Sequence, residues 1–391
     1  MLTHLIRPGR ADRSAPADWF RTVDRPLLFL ILLLMGFGIL AVAAASPAAA
    51  LRLSDATHTV PPAFFLHRQL GWLAAGLLVL IGVSLLPASA ARRLALLGTV
   101  TAVGLLALVP FVGIERNGAT RWLEVAGQPL QPSEFVKPLF AVFTAWLLSA
   151  RFEDQGVPVL GLSAASLGLV VGLLVLEPDF GQAALIGAVW LAQALLAGLP
   201  LGAAAAAGLA GLGGLSIAYL TSAHVARRID AFLHGAGDTY QVDRALEAFR
   251  AGGLLGAGPG DGAAKFHLPE AHTDYIFAVV GEEFGALAGI LLALLYLAIA
   301  LRVLLQLLEE DEPFTLLAAA GLTLQFAGQA FLNMSVNLAL APAKGMTLPL
   351  VSYGGSSYLA SALGLGLLLA LTRRNRHLRA SPFLRSAGEW R

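Results

Sequence analysis

Ten apolar runs, most of them close to the roughly 20 residues a helix needs to cross a bilayer, decide what this chain can fold into. They cover residues 27–45, 69–86, 94–112, 135–150, 157–176, 181–198, 201–220, 276–300, 314–340 and 351–372. The fourth is short, and the ninth is long enough to tilt or break. The sixth and seventh are separated only by Leu199 and Pro200, which makes them a tight helical hairpin. Charged residues are 13% of the sequence, about half the density a water-facing surface needs. That scarcity excludes an ordinary soluble enzyme and a disordered chain. A net charge of +1 leaves no electrostatic footprint for nucleic acid. With no cysteine there is no disulfide scaffold, zinc-thiolate site or thiol nucleophile. The expected class is an all-α polytopic membrane protein. It has a hydrophilic arm at 1–26, one transmembrane domain at 27–372 and a basic tail at 373–391.

An even number of spans puts both termini on one side. The arm carries Arg7, Arg10, Arg13, Arg21 and Arg25, and the tail carries six more arginines. With Arg92, Arg93, Arg151 and Arg302, fifteen cations fall on that side, against five in the short loops opposite (Arg52, Arg68, Arg116, Arg121 and Lys344). The positive-inside rule makes the richer side cytoplasmic. The long loop at 221–275, between spans seven and eight, is then extracytoplasmic. It breaks the trend with Arg227, Arg228, Arg244, Arg250 and Lys265. Long loops cross regardless of charge, so these cations are either incidental or used. Within the loop, Val225, Ile229 and Phe232, then Val242, Leu246 and Phe249, recur at helical spacing and predict two interfacial helices.

Ionisable residues at membrane depth are expensive and default to function. Here they gather on the outer side. Glu134 and Lys137 share a helix face, either as a local ion pair or as a site that holds and orients a substrate phosphate. Glu177-Pro178-Asp179-Phe180-Gly181 forms the outer turn between spans five and six. Gly252–Gly260 is glycine-rich but matches neither a Walker loop nor a dinucleotide fingerprint, so it reads as a lid or a close-packed turn. Lys265, Glu270, His272 and Asp274 follow at the start of span eight, with Glu282 and Glu283 about two turns inside it. Asp274 alone could be a helix cap; beside Glu270 and His272 it marks a site. Asn333, Asn337, Lys344 and the run Ser352–Ser357, with Ser356, close the set. The chain has only three lysines, Lys137, Lys265 and Lys344, and all lie in these clusters.

Six motifs stand in order: Gln131-Pro132-Ser133-Glu134 with Lys137, the Glu177–Gly181 turn, Tyr240-Gln241, Gly252-Gly253-Leu254, Leu268-Pro269-Glu270-Ala271-His272-Thr273-Asp274, and Leu348–Ser357. Together they resemble the SEDS family of shape, elongation, division and sporulation proteins, FtsW and RodA. Ala271 and Lys344-Gly345-Met346-Thr347 are more similar to the division branch, FtsW. Gln182, His234 and Ala339 depart from the family pattern; Ala339 stands where Gly is frequent.

The resemblance implies a peptidoglycan glycosyltransferase that polymerises lipid II on the outer face of the bacterial cytoplasmic membrane, in division or elongation. It also implies a class B penicillin-binding protein, a transpeptidase, as partner, alongside other divisome or elongasome membrane proteins. Asp274 matches the family's essential aspartate, and Glu134, Lys137 and Asp179 match further recurring positions. The reading that follows is inverting transfer with Asp274 as general base. Lys137, Arg227, Arg228, Lys265 and Lys344 are the cations available for the leaving pyrophosphate. Glu270, His272 and Ser356 are further substrate-binding candidates. No tightly bound cofactor is expected; magnesium or manganese could use Asp274 or Glu270 as oxygen ligands. A lipid II flippase and a non-catalytic scaffold are the competing readings.

Overall fold

Asp24 fixes the start of the first long apolar helix. Its carboxylate accepts from Leu27 N at 3.1 Å, and a proline occupies the first turn, where no N–H partner is needed. The structure is a computed structural model that describes residues 15–55, 58–116, 119–125, 127–152, 158–235 and 239–373. Most of the 1–26 arm and nearly all of the 373–391 tail therefore lie outside the described residues.

In chain order the helices and strands are α1 (Ala15–Thr22), α2 (Arg25–Leu53), α3 (Phe64–Ser84), α4 (Ala88–Val112), β1 (Ile114–Arg116), β2 (Ala119–Val125), β3 (Gln128–Leu130), α5 (Pro132–Ser149), α6 (Val159–Leu176), α7 (Phe180–Leu196), α8 (Leu201–Thr221), α9 (Ala223–His234), α10 (Tyr240–Gly252), α11 (Ile276–Leu307), α12 (Pro313–Asn337) and α13 (Gly355–Leu371). Among the described residues eight helices are long and apolar enough to cross a membrane; the shorter apolar helices α7 and α13 complete the expected ten. The amphipathic patterns in the long loop become α9 and α10. The run predicted to end at residue 45 continues through Pro47 to Leu53.

One element was not expected. Between α4 and α5 the chain forms a small antiparallel sheet, β1-β2-β3, with Leu123 opposite Leu130. Gly127, at φ 73°, makes the tight β2–β3 turn. Two of its strands have only three residues, too few for a period-2 pattern to show in the sequence.

Helix α5 occupies the middle of the bundle, against α4, α6, α7, α12 and α13, and is buried over most of its length. That position is why a run as polar as Gln131–Lys137 can exist at this depth: its side chains face protein rather than lipid. Helix α8 is the opposite case, with only Ala204 and Ala218 buried.

Helix α11 is broken. Gly285 has φ 83° and ψ 171°, outside any helix. The glycine-rich segment after α10 enters the break. Ala257 N donates to Glu282 O at 2.8 Å and Gly258 N to Glu283 O at 3.1 Å, while Ala286 N and Leu287 N donate back to the carbonyls of Gly253 and Leu254. A Cβ on Gly256 would collide with the Glu283 carbonyl, and one on Gly285 with the Leu254 carbonyl. The carboxylates complete the clasp. Glu282 accepts from Ala264 N at 2.6 Å and Lys265 N at 2.8 Å; Glu283 accepts from Gly260 N and pairs with Lys265 Nζ. From Ala286 to Leu307 the helix measures about 33 Å at ~1.5 Å per residue, enough to cross the hydrocarbon unaided. Glu282 and Glu283 thus sit on a stub at the end of the membrane-crossing helix, not two turns inside it.

Candidate active site

A cavity of about 1560 Å³ opens at the end of the bundle that carries the sheet, α9 and α10. It is larger than the ~300–1,000 Å³ typical of small-ligand sites. Asp274 lines it on the irregular segment between the clasp and the α11 stub. Helix α12 holds the Asp274 backbone through side-chain amides. Ser352 Oγ donates to Thr273 O at 2.6 Å, and Tyr353 N to His272 O at 2.9 Å, so the chain after α12 braces the same segment. Gly345 lies so near that a Cβ on it would stand 3.4 Å from Asp274 Oδ2.

Burial, with the neighbouring Glu270 carboxylate, pushes the Asp274 carboxyl up to about 7, against the pull of Arg228 and Arg121. A carboxylate so placed is half ionised near neutral pH, where a general base works best. Glu270 also lines the cavity. It holds a left-handed backbone, φ 53°, and accepts from Thr273 Oγ1 at 2.7 Å. His272 packs against the rings of Phe65 and Tyr353, with centroids at 4.3 and 5.5 Å. Burial lowers the imidazole to about 4, so it is neutral at pH 7 and offers an aromatic surface rather than a charge.

Arg227, Arg228 and Lys344 line the cavity as the sequence suggested, the first two from α9. Arg228 is half-buried, and although burial lowers its affinity for a proton, a guanidinium keeps its charge. Burial and Arg228 likewise lower Lys344. Ser356 faces the cavity too, but its hydroxyl is spent on structure, donating to Pro129 O and accepting from Gln131 N, each at 3.1 Å.

Other sequence-predicted residues lie behind the wall. Glu134 reaches the lining, whereas Lys137 is 2% exposed, donating to Glu134 Oε2 at 2.9 Å and Gln329 Oε1 at 2.6 Å. Asp179 is buried as the N-cap of α7 and accepts from Gln131 Nε2 at 3.4 Å. Burial raises its carboxyl, opposed by Arg121. Glu177, buried next to Asp179, is pushed up to about 8. Lys265 is furthest from its expected role. It is 1% exposed in the clasp with Glu283, away from the cavity lining. Its ammonium is consumed in neutralising a carboxylate.

Sequence reasoning missed several lining residues: Arg121, Arg52, Arg68, Phe65 and Trp72. Arg121 matters most. From β2 it donates to the carbonyls of Glu177 and Pro178, and its charge acts on both Asp179 and Asp274. A signal existed, since Arg52, Arg68 and Arg121 are three of the few cations in the short loops opposite the arginine-rich side.

The model of the cell cycle protein family FtsW, RodA and SpoVE matches residues 25–377. The chain belongs to the FtsW/RodA/SpoVE family. Among relatives of this FtsW/RodA/SpoVE protein, the probable peptidoglycan glycosyltransferase FtsW of Caulobacter vibrioides is 40% identical over 369 residues, covering 94% of this chain and 93% of that one. The FtsW of Alcanivorax borkumensis, described in the same words, is 36% identical, covering 92% and 95%. The fold is similar to a chain of a peptidoglycan synthase complex studied for coordination of polymerization and crosslinking, with TM-score 0.71, 28% identity and coverage of 90% and 97%. It is also similar to the rod shape determining protein RodA of Thermus thermophilus, with TM-score 0.65, 28% identity and coverage of 90% and 96%. The SEDS resemblance and its FtsW-like character agree with these matches.

Proposed function

We propose that the chain is a peptidoglycan glycosyltransferase that polymerises lipid II by inverting transfer, with Asp274 as general base. The observation that carries this is a carboxyl held near 7 in a large, cation-lined cavity at the end of a membrane bundle. In the proposed step the acceptor sugar 4-hydroxyl attacks the anomeric carbon of the donor, and its proton passes to Asp274. The bond from that carbon to the lipid pyrophosphate breaks, and the pyrophosphate leaves with the electron pair. It needs charge neutralisation rather than a proton. Arg121, Arg228 and Lys344 stand around the cavity to supply it. Attack from the face opposite an α-linked leaving group gives a β-linkage with no covalent intermediate. The neutral His272 ring and its aromatic neighbours give the sugars an apolar wall.

For a divalent ion, no cluster of three or more His, Cys, Asp or Glu able to hold a metal exists among the described residues. Asp274 and Glu270 fit the looser mode in which magnesium takes one or two carboxylates and completes its shell with substrate phosphate and water. Magnesium or manganese bound so would add positive charge beside the leaving pyrophosphate.

Function in this reading places the protein in the bacterial cytoplasmic membrane, with both termini in the cytoplasm and the cavity outside. The match to a polymerization and crosslinking complex supports a class B penicillin-binding protein as partner, among other wall-synthesis membrane proteins. Transport of lipid II is disfavoured because the one lysine of α5 and the amides beside it are bonded within the protein. Lys137 is paired as described, and Thr144 donates to Gln193 Oε1 at 2.7 Å.

The test is lipid II polymerisation by the purified protein with its transpeptidase partner, wild type against Asp274→Ala. Loss of polymer from a well-folded variant is expected. A wild-type rate from that variant overturns the assignment.

A further inference from the structure

Helix α12 carries four primary amides at four-residue spacing, which aligns them on one face. Gln325 donates to Gln329 Oε1 at 3.2 Å, and the three that follow, Gln329, Asn333 and Asn337, reach the frame of the cavity. They are 1%, 2% and 0% exposed. Each donates to the backbone of the irregular segments that frame the cavity, and Asn337 donates also to Asn333 O at 2.8 Å. Gln329 Nε2 donates to Thr347 O at 3.0 Å. Asn333 Nδ2 donates to Met346 O at 2.6 Å and Asp274 O at 2.7 Å. Asn337 Nδ2 donates to Asp274 O at 3.0 Å, while its Oδ1 accepts from Ala278 N at 3.1 Å. Asn333 thus bonds the Asp274 segment and the Lys344 segment at once. At the other end of the row, Gln329 Oε1 accepts from Lys137 Nζ, and Glu134 Oε1 accepts from Gln182 Nε2 at 2.7 Å.

We propose that this amide ladder is a positioning device for the reaction. Asn333 and Asn337 fix the main chain of Asp274, and Gln329 carries the hold of the buried Glu134–Lys137 pair into the Lys344 segment. The proposal rests on Asp274 being the base. It gives Lys137 a role that its burial permits: it acts through Gln329 instead of touching phosphate.

The physical case is hydrogen-bond satisfaction. The carbonyls of Asp274, Met346 and Thr347 sit where neither segment has a regular ladder of its own. An apolar side chain at 333 would leave Met346 O without this donor and Asp274 O with Asn337 alone, so the two segments would lose their common tie and shift. A shift of about 1 Å between base and reacting carbon costs on the order of 100-fold in rate. Binding, spread over a large cavity, changes far less.

The experiment is steady-state lipid II polymerisation by the full chain with its transpeptidase partner. The variants are Asn333→Ala, Asn333→Gln, Gln329→Met and Asp274→Ala, each with a thermal melt. Asn333→Ala is expected to lose roughly 10- to 100-fold in kcat with KM within about twofold. Asn333→Gln keeps the amide and regains part of kcat. Gln329→Met, near in shape, guards against a misfolded Asn333→Ala and is expected to lose roughly 10-fold in kcat. A kcat within twofold of wild type for both Asn333→Ala and Gln329→Met overturns the proposal. So does a loss confined to KM, or an Asn333→Gln protein that melts normally and is no better than Asn333→Ala. If Asp274→Ala polymerises at the wild-type rate, the base assignment fails instead, a result distinct from inactive Asp274→Ala beside intact Asn333→Ala.

Discussion

Replacing Lys265 with Met separates two roles for a buried lysine. Lys265 is 1% exposed and pairs with Glu283, which also accepts from Gly260 N. Removing one member of a buried pair costs about 3–5 kcal/mol, because the other charge is left uncompensated. The cost falls on the clasp that closes the α11 break, so it appears as local opening. Amide hydrogen exchange at Ala257, Gly258, Ala264 and Lys265, whose N–H groups bond Glu282 and Glu283, reports that opening directly. At about 1.4 kcal/mol per tenfold, exchange in Lys265→Met should accelerate by two to three orders of magnitude. The double variant Lys265→Met/Glu283→Gln replaces the pair with neutral groups of similar size, and Gln still accepts from Gly260 N. It should recover to within about 1.5 kcal/mol of wild type and keep polymerising. Exchange unchanged in the single variant, or as fast in the double as in the single, refutes the clasp. A double variant that is folded yet inactive would return Lys265 to the substrate.

Further outcomes follow from the same geometry. Because a base works deprotonated, kcat/KM should fall tenfold per unit as pH drops below about 7, the value to which Asp274 is raised; a flat profile from pH 5.5 to 8 rejects it. Glu270→Gln removes the charge that helps raise Asp274, so the acidic limb should move to lower pH. Lys137→Met should lower kcat at least as far as Gln329→Met, roughly 10-fold or more, while leaving lipid II binding within a few-fold, as measured by equilibrium binding to the purified protein; a large loss of affinity would put the ammonium on the substrate. Ala339 is the residue after the α12 cap, with φ 58°; Ala339 N bonds Val336 O, and Leu340 N bonds Ser335 O. That is a Schellman end in which Ala occupies the glycine position. Ala339→Gly should therefore stabilise the protein by roughly 1 kcal/mol in reversible unfolding; destabilisation would refute the strain.

The apolar runs made the helices legible, since lipid leaves little room for any other reading of such runs. They also made the outer cluster legible, because each charge there is an exception. Asp274, Glu134 and Lys344 were singled out in this way, and all three line the cavity. The same logic overreached at Lys265 and Lys137. A scarce cation signals that something needs charge, and a sequence does not show whether the need is substrate or a neighbouring glutamate. Arg121 was hidden for a different reason: it stands on β2, whose partner strands β1 and β3 have only three residues each, so no sheet showed in the sequence. Its role depends on a fold-back toward Glu177 and Pro178, more than 50 residues along the chain. Gly285 was one glycine among 42, and nothing local marks it as the break.

The clasp also bears on how the protein is made. Its carboxylate bonds join residues 17 to 23 positions apart, and the glycine loop precedes α11 in the chain. During synthesis that loop is already in place on the cavity side when Glu282 and Glu283 emerge. Closing so short a loop costs little entropy, so the two acids find their donors within one neighbourhood, before α12 or α13 exists. The most hazardous charges in the second half of the molecule are thus neutralised by sequence neighbours as the helix inserts, and the bundle need not be complete for the membrane to accept them.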